Sequence, residues 1–263
     1  MNILEAIKVR RSVRSFDGRG LTAEQKRLLE DAINKSHTPF GGKVTIRLKE
    51  YDLKAGYKPN TYGMIKGAAD FFLIGMGMDE ASALSAGFRF EQVVLKACQL
   101  GLGTCWIAAT FKNSDFDRGE EWSEGETLKV ISPVGTAVKP TIKEKLARLT
   151  LGSKNRKPFD RMFFYNDFTT SVPIDNPFRE SLEMLRLAPS STNSQPWRVL
   201  VKGRAVHFYY KPKSSLSVLD TGIGICHFYE TEKYYGRSGE FSKIEESPAA
   251  PDDWKYLVSY FGQ

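Results

Sequence analysis

A chain of 263 residues, 41% hydrophobic and 26% charged, fits one large globular domain or two closely packed halves and excludes a disordered chain. Its longest apolar run, Ala68 to Met78 with Asp70 inside it, falls well short of the roughly 20 residues that cross a bilayer, and the first residues lack the charged and apolar blocks of a secretory signal; the expectation is a cytoplasmic protein with no membrane partner. A net charge of +7 calls for an anionic partner, and because the basic residues gather in two knots (Arg10, Arg11, Arg14 and Arg19; Lys154, Arg156, Lys157 and Arg161), a compact phosphate suits them better than a long polyanion.

In chain order, Ile3, Leu4 and Ile7 mark a first helix that ends in the arginines. Thr22 and Gln25 form a capping box for a second helix with Leu28, Leu29, Ala32 and Ile33 on its apolar face, broken by Thr38-Pro39-Phe40-Gly41-Gly42. Strands are expected at Val44 to Leu48 and Phe71 to Ile74. A long helix through Phe90, Val93, Val94 and Ala97 stops at the glycines of "GLGTCWI", and strands at Thr104 to Ala108 and Leu128 to Val134 close a first half, 1–165. Thr141 to Pro177 reads as a basic surface connection.

The second half, 166–263, opens with Asn176 as N-cap and Pro177 as first residue of a helix carrying Phe178, Leu182 and Leu185. "APSSTNSQPW" ends it. Strands Arg198 to Val201 and Ala205 to Tyr210 form a hairpin around Lys202-Gly203-Arg204, a helix runs from Asp220 to about Tyr235, and Tyr256 to Phe261 is a closing strand. Laid side by side the halves repeat their order of elements, with "HTPFGGKV" standing in the first where "PSSTNSQPW" stands in the second. Only the second break is rich in hydrogen-bonding side chains, and only the first half carries the arginine cluster.

Each of these segments has an ordinary reading. Arginines at a helix C-terminus interact favourably with its dipole, worth roughly 0.3 to 1 kcal/mol. "PSSTNSQPW" can satisfy its own backbone, although Asn193 and Gln195, each both donor and acceptor, also suit the edge of a heteroaromatic ring. "GLGTCWIAATF" can be a helix cap and a buried strand, or a strand end whose small Ala108 and Ala109 let a flat ligand approach backbone N–H groups. "DFDRGEE" lacks the glycine and ligand set of a calcium loop. Cys98, Cys105 and Cys226 form no CxxC pair, and His37, His207 and His227 are isolated, so no metal site is expected.

Taken together, "RRSVRSF", "GLGTCWI", "KNRKPFD" and above all "PSSTNSQPWRV" resemble the FMN-dependent nitroreductase family, touching most of the chain. The resemblance implies an α+β fold, a mixed, mostly antiparallel sheet wrapped by helices. The usual member places the serine-rich motif soon after the arginines and builds each flavin site from both subunits of a homodimer. Here the motif lies in the second half, so the chain is similar to a fused pseudo-dimer with one composite site of its own, and a monomer is expected. On that resemblance Arg10, Arg11, Ser12 and Arg14 grip the FMN phosphate and ribityl chain, with Lys154 and Arg156 closing the anion pocket. Pro189, Ser190, Ser191 and Asn193 line the flavin edge, and the backbone at Ile107, Ala108 and Ala109 faces N5.

The implied activity takes hydride from NAD(P)H through flavin N5 to a small-molecule electron acceptor such as a nitroaromatic or quinone, with no catalytic side chain. Dehalogenation, flavin cleavage and dehydrogenation occur on related proteins, and a non-catalytic FMN-binding protein is the alternative. A nucleic-acid partner is not expected, because the lysines are scattered and no recognised module is present.

Overall fold

The structure, a computed structural model, describes residues 1–53, 56, 58–138 and 155–263. It divides into two compact units, Met1–Lys145 and Leu146–Gln263.

In the first unit, helix α1 (Ile3–Val9) is opened by an Asn2/Glu5 capping box and α2 (Ala23–Lys35) by the expected Thr22/Gln25 box. Strands β1 (Val44–Glu50) and β2 (Asp70–Met76) precede helix α3 (Glu80–Gln99); β3 (Gly103–Thr104), a short helix α4 (Asn113–Phe116) and β4 (Thr127–Gly135) follow. The sheet is antiparallel throughout in the order β1-β2-β4-β3. Helix α3 is buried along most of its length, with Phe88, Phe90, Val93, Val94, Leu95 and Ala97 inaccessible to solvent, while Arg89, Gln92, Lys96 and Gln99 recur at helical spacing on a part-exposed stripe.

The end of α3 fixes what comes next. Leu102 N–H bonds to Ala97 O at 2.9 Å and Gly101 N–H to Cys98 O at 2.9 Å, a Schellman stop with Gly101 at φ +77°. Gly103 is needed for a different reason: a Cβ there would lie 2.7 Å from Val13 side-chain atoms, so the segment after α1 packs directly on this backbone. The strand expected over Thr104 to Ala108 is only two residues long, with an isolated bridge from Ile107 to Ile131. The register sets Pro133, which has no N–H, opposite Cys105, whose own N–H turns to Ser132 Oγ at 3.2 Å.

In the second unit, strands β5 (Phe163–Tyr165) and β6 (Asp167–Ser171) come first, then helix α5 (Arg179–Arg186), strands β7 (Trp197–Lys202) and β8 (Ala205–Tyr210), helix α6 (Ser217–Tyr234), and strands β9 (Gly239–Ser242) and β10 (Lys255–Gly262). The sheet order is β6-β5-β7-β8-β10-β9, with β5 parallel to β7 and the other pairs antiparallel. The described part of the expected surface connection is therefore corrected. Met162 and Phe163 are fully buried and β5 is an interior strand, joined to the second sheet although the expected boundary at 165 assigned it to the first half.

Helix α5 begins two residues later than expected, because Asn176 Oδ1 accepts the Phe178 N–H at 3.0 Å and closes a turn of its own first. Strand β9 had no sequence counterpart, since its four residues alternate only weakly. Within each unit the repeat holds: a helix, two adjacent antiparallel strands, a long buried helix, and a last strand beside the second of the pair. Both sheets are antiparallel-dominated and carry helices, the α+β architecture expected.

Candidate functional site

The first unit collects one set of expected residues. Past Arg10 the chain runs as an irregular strand: Ser12 bridges to Thr104, Val13 N–H bonds to Thr104 O at 2.8 Å, Lys66 N–H bonds to Arg14 O and Phe16 N–H to Lys66 O, both at 2.9 Å. The arginine segment thus lies between the start of "GTCWI" and the turn that ends at Gly67, whose φ of +71° and contact with Phe16 O admit no side chain. Val13 and Phe16 face inward, Arg11 is exposed, and Ser12 and Arg14 are half-buried.

The arginines do not share one role. Arg10, with a side chain 7% exposed, stands 3.8 Å from Glu91. Glu91 is fully buried on α3 and accepts the Trp106 indole N–H at 2.8 Å. Arg10 is therefore held in a buried ion pair that anchors α1 to α3. Arg11 and Arg14 carry no side-chain hydrogen bond or ion pair among the described residues. Ile107 is buried, and its N–H and C=O both bond to Ile131 at 2.9 Å, so its backbone has no group left for a ligand. The chain then leaves the sheet, and the N–H groups of Ala108 and Ala109 have no partner among the described residues, an accounting that leaves backbone donors for something else.

The second unit collects the rest. Pro189 to Gln195 form a tight loop in which Thr192, Asn193 and Gln195 adopt φ of +48°, +55° and +46°, a conformation non-glycine residues hold only where surroundings over-determine it. Those surroundings are visible. Gln195 N–H bonds to Ser190 Oγ at 2.9 Å, Gln195 Nε2 reaches the Asn193 and Asn155 carbonyls, and Ser191 N–H bonds to both Asp220 oxygens at 3.0 Å. Arg156 reaches Asn193 Oδ1 at 3.3 Å and Leu187 O at 2.9 Å, while Asn193 Nδ2 donates to Asn155 O at 2.9 Å. The structure thus brings Arg156 together with the serine-asparagine loop, and much of that loop's polarity holds its own shape. Lys154 lies outside the described residues.

Two residues that matter here, Glu91 and Asp220, had no part in the expected site, and a third, Lys157, was expected only within the second basic knot. Glu91 was hidden in an apolar helix pattern; a carboxylate between Phe90 and Val93 is the signal that could have found it. Asp220, 2% exposed in the first turn of α6, takes bonds from Ser191 and Ser194, and burial pushes its carboxyl up to about 7. Lys157 donates to Ser194 O at 2.5 Å and Gln195 O at 3.1 Å. His207 meets Ser259 Oγ at 2.7 Å and His227 meets Met184 O at 3.1 Å, both buried. Among the described residues no cluster of His, Cys, Asp and Glu could hold a metal ion, and no helix is long and apolar enough to cross a membrane.

Fold and residue pattern together define an α+β protein of the nitroreductase type. A family model described as "Putative TM nitroreductase" matches residues 2–231, and the chain belongs to that family. Among solved structures it is similar to one described as a putative nitroreductase from Thermotoga maritima, with 21% identity, 99% of this chain and 92% of that chain covered, and a TM-score of 0.60. A nitroreductase family protein from Clostridium difficile 630 matches at 18% identity over 61% of this chain and 96% of its own, TM-score 0.45. A nitroreductase with bound FMN from Bacteroides fragilis matches at 15% identity over 54% and 91%, TM-score 0.43. No curated protein matches the chain.

Proposed function

We propose that this chain is an FMN-dependent oxidoreductase that carries reducing equivalents from NADH or NADPH to a flat electrophile such as a nitroaromatic or a quinone. Bound FMN would supply the two-electron relay, which none of the protein's own side chains provides. The chain's residues fit that group. Arg11 and Arg14 offer planar guanidinium forks, unpartnered among the described residues, to a phosphate monoester of about −1.5 to −2 charges, with the Ser12 hydroxyl between them and buried Arg10 adding positive potential. Ala108 and Ala109 offer backbone N–H groups, to which the Ile107 ladder bonds give a fixed direction.

Arg156, Pro189, Ser190, Ser191 and Asn193 complete the proposed contacts, with Lys154 added on the motif alone. Their loop arrives already shaped by Asp220 and Gln195, so its ordering cost is met before any ligand binds. That both sets serve one FMN, making the chain a fused pseudo-dimer active as a monomer, is part of this proposal and rests on the order of motifs along the sequence. Three cysteines held outside any disulfide go with a cytoplasmic location.

Family membership together with the donors at Arg11, Arg14, Ala108 and Ala109, unpartnered among the described residues, carries the reading. Equilibrium titration of the full chain with FMN, followed by flavin fluorescence, tests it. Saturable stoichiometric binding is expected, weakened by Arg11→Ala and by Arg156→Ala. A folded protein that leaves FMN free overturns it.

A further inference from the structure

Among the described residues, positive charge in the second unit outnumbers negative charge around one peptide. Lys157 Nζ and Arg198 Nη1 both donate to Gln195 O, at 3.1 and 3.3 Å. Arg198 is only 6% exposed, and its other bond, to Trp197 O at 2.5 Å, also leaves from Nη1. Its guanidinium carbon lies 5.6 Å from the centre of the Trp254 ring, and the Lys211 ammonium lies 5.4 Å from that centre. Lys213 is tied to Lys211 by a backbone bond of 2.8 Å. The carboxylate acting on this group among the described residues is Asp253, 2.7 Å from Lys211 and 64% exposed.

Partly buried like charges are unfavourable unless an opposing charge completes them. The strain registers on Lys157, whose ammonium is pushed down to about 8 by burial first, then by Arg198, Lys213 and Lys211. Arg198, with both of its hydrogen bonds among the described residues on Nη1, offers Nη2 and Nε as a planar fork suited to an oxyanion. Lys211 and Lys213 supply flexible point charges beside it, and Trp254 provides a flat apolar wall.

We propose that Lys157, Arg198 and Lys211 form an anion-binding site in the second unit that takes a phosphate group, either as a free oxyanion or on a nucleotide. None of the three is among the proposed FMN contacts, and the site stands whether or not the chain binds flavin.

Calorimetric titration of the full chain with inorganic pyrophosphate, at constant ionic strength set with potassium chloride, tests it. Saturable binding is expected, with proton uptake near pH 8 as Lys157 regains its proton. Lys211→Gln and Arg198→Gln weaken binding about tenfold or more, the loss of one charge-assisted hydrogen bond. Asp253→Asn, which removes the competing carboxylate from an exposed position, tightens it severalfold. Adenosine 2′,5′-bisphosphate in a second titration separates the sources: tighter binding than pyrophosphate assigns the phosphate to a nucleotide, weaker binding to a free oxyanion. Absence of saturable heat with either probe, or affinities that Lys211→Gln and Asp253→Asn leave equal to the parent protein's, overturns the proposal.

Discussion

Asp220 makes the stability of the second unit depend on pH in a direction opposite to most carboxylates. Its side chain accepts the Ser191 N–H with both oxygens and the Ser194 hydroxyl at 3.4 Å, and among the described residues no charged side chain offsets its burial. The carboxyl therefore titrates near 7 in the folded protein against 3.8 unperturbed. A group whose folded pKa is raised binds its proton more tightly when folded, so its favourable contribution is complete below pH 4 and is lost as pH rises towards 7. About three pKa steps at 1.36 kcal/mol each amount to about 4 kcal/mol.

Asp220→Asn keeps the shape and an acceptor for Ser191 but carries no charge at any pH. Urea unfolding of both proteins at pH 4, 6 and 8 measures the difference between them, which cancels every other titrating group. The variant should gain on the parent by up to about 4 kcal/mol across that range, with a slope no steeper than about 1.4 kcal/mol per pH unit. A gap that stays constant, or narrows as pH rises, refutes the reasoning.

Other substitutions separate the roles of neighbouring residues. Arg11→Ala should weaken FMN binding about ten- to a hundredfold while leaving the unfolding free energy within about 0.5 kcal/mol, the loss of one charge-assisted contact from an exposed position; fluorescence titration and urea unfolding read the two effects. Glu91→Ala should do the reverse in kind, lowering the unfolding free energy by about 3 kcal/mol or more because it strands the buried Arg10 guanidinium and the Trp106 N–H. An Arg10 pair of no structural consequence would leave that value unchanged. Gly103→Ala forces a methyl against Val13 and should cost about 1–3 kcal/mol, and Val13→Ala in the same chain should recover part of that loss, a coupling that additive costs for the double variant would exclude.

Sequence patterns carried the elements whose apolar faces are long and periodic. The α2 capping box, the α3 face through Phe90, Val93 and Ala97, and the hairpin of β7 and β8 all stand where the residues put them. Elements decided by one tertiary contact were not legible. Whether Thr104 to Ala108 continues as a strand depends on Pro133 lying opposite Cys105, and the start of α5 depends on the side chain of Asn176 taking a backbone N–H before the helix begins. Strand β5 sits in a basic stretch whose composition says surface, yet Phe163 and Phe164 are buried in a sheet that only the register with β7 creates.

The site divides the same way. That Arg11, Arg14, Arg156 and the serine-asparagine loop concentrate charge and hydrogen-bonding groups was readable from their motifs, because those are properties of the residues themselves. That Arg10 answers to Glu91, that Ile107 has no backbone group to offer, and that Asn193 and Gln195 bind their own loop are properties of the fold. A polar residue inside an apolar pattern, as at Glu91 and Asp220, was the available signal for a buried partner.

The central claim is that the chain binds FMN and exchanges electrons through it. Anaerobic titration of the FMN-loaded full chain with NADH or NADPH, watched in the visible, tests it most directly. Loss of the oxidised flavin absorbance with one equivalent of at least one nicotinamide, and its return on adding a quinone or nitroaromatic, is the predicted result. A loaded protein whose flavin spectrum neither nicotinamide changes would contradict the account and leave a flavin-binding protein without this activity.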